Sequence, residues 1–118
     1  MFDFLRVLVS FFDKYNIPYM LSGSMAMSTY VGPRFTRDFD FIVHLKLSDA
    51  LLLSNHFKDG YYCDFESIKE AIEKKGLFNI IDHKSNYKAD FIILKNDSYR
   101  RTEFERRRIV NFLDIPIY

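Results

Sequence analysis

The stretch Asp38-Phe39-Asp40-Phe41-Ile42-Val43-His44-Leu45 decides the fold. Apolar residues occupy every second position from Phe39 to Leu45, and this alternation predicts a strand over residues 38–47 with one apolar face. Positions i and i+2 of a strand point to the same side, so Asp38 and Asp40 lie side by side with their Cα atoms about 6.6 Å apart. The strand is therefore predicted to carry two neighbouring carboxylates.

Two carboxylates on one side of an otherwise apolar strand repel each other and resist burial unless a cation lies between them. Oxygen ligands of this kind suit Mg²⁺ or Mn²⁺ better than zinc. The alternative is that Asp38 begins the strand as an exposed turn residue and that Asp40 pairs with Arg34 or Arg37. An isolated Asp-x-Asp more often has that second meaning.

A third acid, Asp90, is embedded in the apolar run Ala89-Asp90-Phe91-Ile92-Ile93-Leu94. A charge isolated in such a run is costly unless it is coordinated or paired. If this strand neighbours the Asp38 strand, three carboxylates converge. The alternative is a salt bridge from Asp90 to Lys88 or to an arginine of the C-terminal tail.

The dipeptide Gly23-Ser24 ends a short apolar run and precedes a predicted helix. A glycine at such a turn lets backbone N–H groups approach an anion, and the helix N-terminus adds a favourable dipole. Most Gly-Ser turns only cap a helix, so the pair gains its meaning from its position ahead of Asp38.

The remaining pattern indicates an α/β protein with a sheet of mixed direction. Helices are predicted over residues 4–12, 24–30, 48–57 and 67–76, the last with a capping box formed by Ser67 and Glu70. Strands are predicted over 17–21, 77–82, 89–94, 109–113 and 115–118. The strands over 77–82 and 89–94 are expected to form a hairpin with Ser85-Asn86 as its turn. Residues 98–108 are polar and rich in arginine and receive no assignment.

Composition limits the class of protein. The 118 residues are 48% hydrophobic and 28% charged, which fits one globular domain over 1–118, and the apolar C-terminal end suggests an N-terminal fragment of a longer chain. A net charge of +1 creates no global field toward nucleic acid or membrane. The single cysteine, Cys63, and the lack of a signal or membrane-spanning pattern predict a cytoplasmic protein.

Three segments together resemble a known family: Leu21-Ser22-Gly23-Ser24, then Arg34-Phe35-Thr36-Arg37-Asp38-Phe39-Asp40, then Lys88-Ala89-Asp90-Phe91. The pattern is similar to the nucleotidyltransferase superfamily of DNA polymerase beta-like enzymes. With Gly76-Leu77-Phe78-Asn79 and Phe104-Glu105-Arg106-Arg107, it resembles a small bacterial group related to the toxins of abortive-infection systems. The resemblance covers about 19–108 and implies a nucleotidyltransferase fold reduced to a minimal catalytic domain.

The resemblance also implies roles for individual residues. Gly23 and Ser24 would hold the triphosphate of a nucleoside triphosphate, while Asp38 and Asp40 would bind the metals that orient it. Asp90 would bind the second of two Mg²⁺ or Mn²⁺ ions and help to deprotonate the attacking hydroxyl.

Further contacts to phosphate are weighed against simpler readings. Arg34 and Thr36, just before the acids, and Lys88, two residues before Asp90, are candidate phosphate contacts. The alternative is that these three side chains are solvated surface residues. Arginines 100, 101, 106, 107 and 108 are a candidate site for RNA or triphosphate, or else one charged helix face.

The expected function is metal-dependent transfer of a nucleoside monophosphate, from ATP or another triphosphate, to a hydroxyl of RNA or of a protein. A toxin–antitoxin or phage-defence role fits, with a cognate antitoxin or a missing C-terminal region as a partner. The helical lobe that several relatives use to hold base and acceptor is not found in the sequence. The rival hypothesis is a non-catalytic module that keeps the fold and binds a nucleotide or a partner protein. Asp90 discriminates between them, because only two-metal transfer needs a third carboxylate.

Overall fold

The computed structural model describes residues 3–21, 38–95, 98–107, 109–112 and 115–118. Within these ranges four helices and seven strands follow the chain. The helices are α1 (Asp3–Lys14), α2 (Leu47–His56), α3 (Phe65–Lys74) and α4 (Ser98–Glu105). The strands are β1 (Tyr19–Leu21), β2 (Asp38–Val43), β3 (Tyr61–Tyr62), β4 (Leu77–Asp82), β5 (Lys88–Ile93), β6 (Val110–Phe112) and β7 (Ile115–Ile117).

The main sheet has five strands in the order β1-β2-β5-β4-β3. Only β2 and β5 pair in parallel, and the other three pairings are antiparallel. The chain is therefore an α/β protein with a mixed sheet, as predicted. The β4–β5 hairpin is also confirmed: Asn86 adopts a positive φ of 64°, and its N–H donates to the Asp82 carbonyl at 2.7 Å.

One face of this sheet is closed by aromatic packing. The Phe91 ring stacks between those of Phe41 and Phe78, with centroid distances of 5.5 and 5.0 Å. Phe12, from the amphipathic helix α1, meets Phe41 and Phe91 edge-on at 5.7 and 5.8 Å. All four rings are buried. The alternation read from the sequence therefore gives the correct inner face for β2, and the structure adds the inner face of β5.

Helix α3 begins earlier than predicted. Its N-cap is Asp64, whose carboxylate accepts hydrogen bonds from both the backbone N–H and the hydroxyl of Ser67. The expected capping box starting at Ser67 is therefore wrong, because an earlier start buries Ile68 together with Ala71. At the other end Lys75, rather than Gly76, takes the left-handed conformation, with φ 55°.

The C-terminal strands form a separate two-stranded antiparallel sheet, β6–β7, and the chain end then packs beside β1. The Leu21 N–H donates to the Tyr118 carbonyl at 2.8 Å, and the Tyr118 N–H donates to the Tyr19 hydroxyl at 3.4 Å. The Arg-rich stretch without a sequence assignment contains α4, whose Phe104 is buried. No helix among the described residues has the length and apolar character needed to cross a membrane.

Candidate active site

The sheet face opposite the aromatic core carries the three predicted acids. Register in the parallel β2–β5 pair sets Asp40 opposite Asp90 and Asp38 opposite Lys88. Residues opposite each other on neighbouring strands share a face, and neighbouring strands are about 4.8 Å apart. Asp38, Asp40, Lys88 and Asp90 therefore form one block of four charged side chains, which we call the carboxylate block.

The carboxylate block is held in place from the other side of the sheet. Phe39, Ala89 and Phe91 alternate with its members along β2 and β5, and each is at most 1% exposed. A shift of either strand by one residue would turn these apolar side chains out and the charges in. The apolar alternation of the sequence thus fixes the spacing of the acids.

Asp90 is the most perturbed acid of the block. Burial raises the pKa of its carboxyl, and the neighbouring charges of Asp40 and Asp38 raise it further, whereas the Lys88 ammonium lowers it. A side-chain hydrogen bond with Asp40 also raises the pKa of Asp90, since it favours the protonated form. Lys88 Nζ lies 3.7 Å from Asp90 Oδ1, with exposed side-chain fractions of 36% and 21%. Both sequence hypotheses for Asp90, convergence with the other acids and an ion pair with Lys88, are therefore realised.

The donor chemistry of the block fits a hard divalent cation. All its acidic ligand atoms are carboxylate oxygens, which Mg²⁺ and Mn²⁺ prefer. A cation between Asp40 and Asp90 would remove the repulsion that raises the pKa of Asp90. Among the described residues, however, no three His, Cys, Asp or Glu side chains are arranged as a ready metal site.

The predicted phosphate-binding residues are only partly covered by the structure. Gly23, Ser24, Arg34 and Thr36 lie outside the described residues, as does the predicted helix over 24–30. Lys88 is described and belongs to the carboxylate block. Of the arginine-rich tail, Arg101 and Arg106 are exposed, and the Arg107 guanidinium stacks on the rings of Phe104 and Tyr118.

Asn79 is a residue of this face that reasoning from the sequence did not single out as a site residue. It lies on β4, opposite Asp90 in the antiparallel β4–β5 ladder, and is half-buried. Its carboxamide therefore extends the row Asp40-Asp90 by one strand. The signal in the sequence was a lone polar residue between Phe78 and Ile80, which becomes informative only once the β4–β5 register is known.

Cys63 and His56 pack against the core away from the carboxylate block. The Cys63 thiol is half-buried and donates to the Leu53 carbonyl at 3.8 Å, and burial raises its pKa to about 12. His56 packs against Phe11, with ring centroids 4.7 Å apart, and burial lowers its pKa. Both side chains therefore contribute to packing.

Comparison with known proteins identifies no relationship: no protein-family model matches the chain, and no curated protein matches it significantly. The function has to be inferred from the geometry of the carboxylate block.

Proposed function

We propose that this chain is a metal-dependent nucleotidyltransferase of the DNA polymerase beta-like superfamily, which transfers a nucleoside monophosphate from a nucleoside triphosphate to a hydroxyl acceptor. The observation that carries the proposal is the parallel β2–β5 register, which sets Asp40 opposite Asp90 with Asp38 two residues away on the same face. A salt bridge to Lys88 alone would not require three acids there.

The reaction would use each member of the block differently. Asp38, Asp40 and Asp90 would hold the divalent cations, which when bound neutralise the charge of the triphosphate. The acceptor oxygen forms a bond to the α-phosphorus, the bond from that phosphorus to the β-phosphate oxygen breaks, and pyrophosphate leaves. The hydroxyl proton would pass to the Asp90 carboxylate, and Lys88 would contact a phosphate oxygen.

The acceptor, RNA or protein, and a role in toxin–antitoxin or phage defence belong to the same proposal. The alternative, a non-catalytic nucleotide- or partner-binding module, is favoured by one observation: Asp90 already has a cation, Lys88, at 3.7 Å. A module of this kind needs the Asp38–Asp40 pair for the nucleotide but no free third carboxylate.

Label transfer tests the proposal. The protein is incubated with Mg²⁺ or Mn²⁺, an RNA or protein acceptor pool, and triphosphates labelled at either the α- or the γ-phosphate. A nucleotidyltransferase transfers the α-label and never the γ-label. Asp90→Asn should abolish transfer but retain nucleotide binding, while Asp59→Asn, which removes an exposed charge elsewhere, should keep both. Nucleotide binding without transfer in the wild type would instead establish the binding module.

A further inference from the structure

The face that carries the carboxylate block continues past the strands to a cavity at their carboxyl ends. His44 follows β2 and its N–H donates to the Pro18 carbonyl at 3.0 Å, so it extends the β1–β2 ladder. Its exposed side chain follows the buried Val43, which places it on the same side as Asp40. Since His44 is four residues after Asp40, about 13 Å of extended strand separates the two.

Helix α4 and the residues after it close this cavity, which has a volume of about 210 Å³. The sheet contributes Pro18, His44 and Leu94, and the C-terminal segment contributes Arg101, Phe104 and Arg107. Glu105 also lines the cavity and is the single acid that does so among the residues that the structure describes. Two arginines, one glutamate and one histidine are therefore among the residues that line the cavity.

Arg107 has one side-chain N–H donor without a hydrogen-bond partner in the described part of the chain. Its guanidinium carbon lies 4.3 Å from the centroid of the Phe104 ring and 4.7 Å from that of Tyr118, and Nη1 donates to the Phe104 carbonyl at 3.0 Å. Its Nε is buried and has no hydrogen-bond partner in the described part of the chain. A buried N–H donor without an acceptor is unfavourable, and the Nε edge of a guanidinium binds the paired oxygens of a phosphate well.

We propose that this cavity, which we call the arginine cavity, binds a phosphate group through Arg101 and Arg107. The group comes either from free phosphate or pyrophosphate, or from the backbone of a nucleic-acid strand. The length of strand from Asp40 to His44, which lines the cavity, is about 13 Å and corresponds to about four nucleotides of a stacked strand. One nucleic-acid strand could therefore occupy both the arginine cavity and the carboxylate block.

A second cavity on the other side of Arg107 provides a contrast. It has a volume of about 280 Å³ and is lined by Asp13, Asn16 and Tyr19 with Arg107. One acid, Asp13, balances one guanidinium, that of Arg107, among the described residues that line this cavity. The cavity therefore has no excess positive charge to attract an anion. The proposal is therefore specific to the arginine cavity.

Binding is tested without divalent metal, in chelator-containing buffer, because a triphosphate bound at carboxylates needs a cation and a phosphate bound at arginines does not. The probes are inorganic phosphate, pyrophosphate and a fluorescein-labelled single-stranded RNA. We expect Arg101→Gln and Arg107→Lys each to weaken binding about tenfold, the loss typical of one charged hydrogen bond. Arg106→Gln removes an exposed charge from outside the arginine cavity and should change affinity less than twofold.

The outcomes separate the sources and the rival explanations. Pyrophosphate that displaces the RNA shows a shared phosphate site filled by nucleic acid, whereas binding of pyrophosphate alone identifies the free anion. Equal losses in all three variants, or no binding of any probe to the wild type, would overturn the proposal. This binding is measured without metal and label transfer is measured with it, so failure of the nucleotidyltransferase proposal and failure of this one are distinguishable. If Arg107→Lys unfolds the chain, Arg101→Gln still decides.

Discussion

Neutralising one acid of the carboxylate block should stabilise the protein in the absence of ligand. In Asp40→Asn the amide replaces a carboxylate that faces Asp90 across the parallel β2–β5 pair. Two full charges about 5 Å apart repel by about 3 kcal/mol at an effective dielectric constant of about 20. Three effects reduce this repulsion: the positive charge of Lys88, the hydrogen bond between Asp40 and Asp90, which favours a protonated Asp90, and partial solvation. The net gain should be about 1 kcal/mol, the upper range for cross-strand pairs.

Thermal unfolding measures this gain as a rise in Tm of about 3–6 °C for a domain of this size. Addition of Mg²⁺ with the correct nucleoside triphosphate at a hundred times its Kd should then stabilise the wild type by about 2.7 kcal/mol and leave the variant unchanged. The order of the two Tm values therefore inverts. Asp59→Asn makes the same change in net charge at an exposed turn and should shift Tm by less than 1 °C, within about 0.2 kcal/mol.

A loss of stability in Asp40→Asn without ligand would refute the reasoning. It would mean that Asp40 is a partner in a stabilising ion pair, as the alternative reading of the Asp-x-Asp motif holds. An equal gain in Asp59→Asn would attribute the effect to net charge rather than to the block.

Three further predictions follow from the geometry. Asn79→Ala should reduce the rate of label transfer at least tenfold without changing nucleotide affinity, and Asn79→Gln should restore part of that rate. If nucleotide affinity falls by the same factor as the rate, Asn79 has only a structural role. Tyr19, whose pKa burial raises to about 12, should make stability fall by about 2–3 kcal/mol as pH rises from 10 through 12, and Tyr19→Phe should flatten that slope in urea titrations. Cys63, with its raised pKa, should react with a thiol reagent at pH 8 far more slowly in the folded protein than in the urea-unfolded chain.

The sequence predicted β2 and β5, because the alternation in 38–45 and the apolar run 89–94 are local signals. It missed the two-residue strand β3 and extended β2 to residue 47, whereas the strand ends at Val43 and helix α2 begins at Leu47. It also gave the β4–β5 hairpin, since Asn86 supplies the positive φ that the turn requires. What it could not supply was the order of strands in the sheet. That Asp40 faces Asp90 depends on a parallel pairing between segments about fifty residues apart, which no periodicity reports.

Helix ends were the weaker part of the prediction for a physical reason. Asp64 and Ser67 are both good N-cap residues, three positions apart, and only the burial of Ile68 selects the first. Similarly, Lys75 takes the left-handed position although glycine follows it, and the Gly76 N–H donates to the Ala71 carbonyl at 2.9 Å. Helix α4 escaped detection because Phe104 is its one buried residue among those with described side chains.

The central position of the β2–β5 pair has a consequence for how the site is made during folding. Among the paired strands of the described main sheet, β2 and β5 are the farthest apart in the sequence. The chain must therefore close a loop of about fifty residues before Asp40 and Asp90 meet. Interior strands also open last, only with the global unfolding of a domain. The carboxylate block should therefore form in a single cooperative step, and amide exchange in β2 and β5 should be as slow as unfolding of the whole domain. A chain that has not yet paired β2 with β5 would have none of the chemistry.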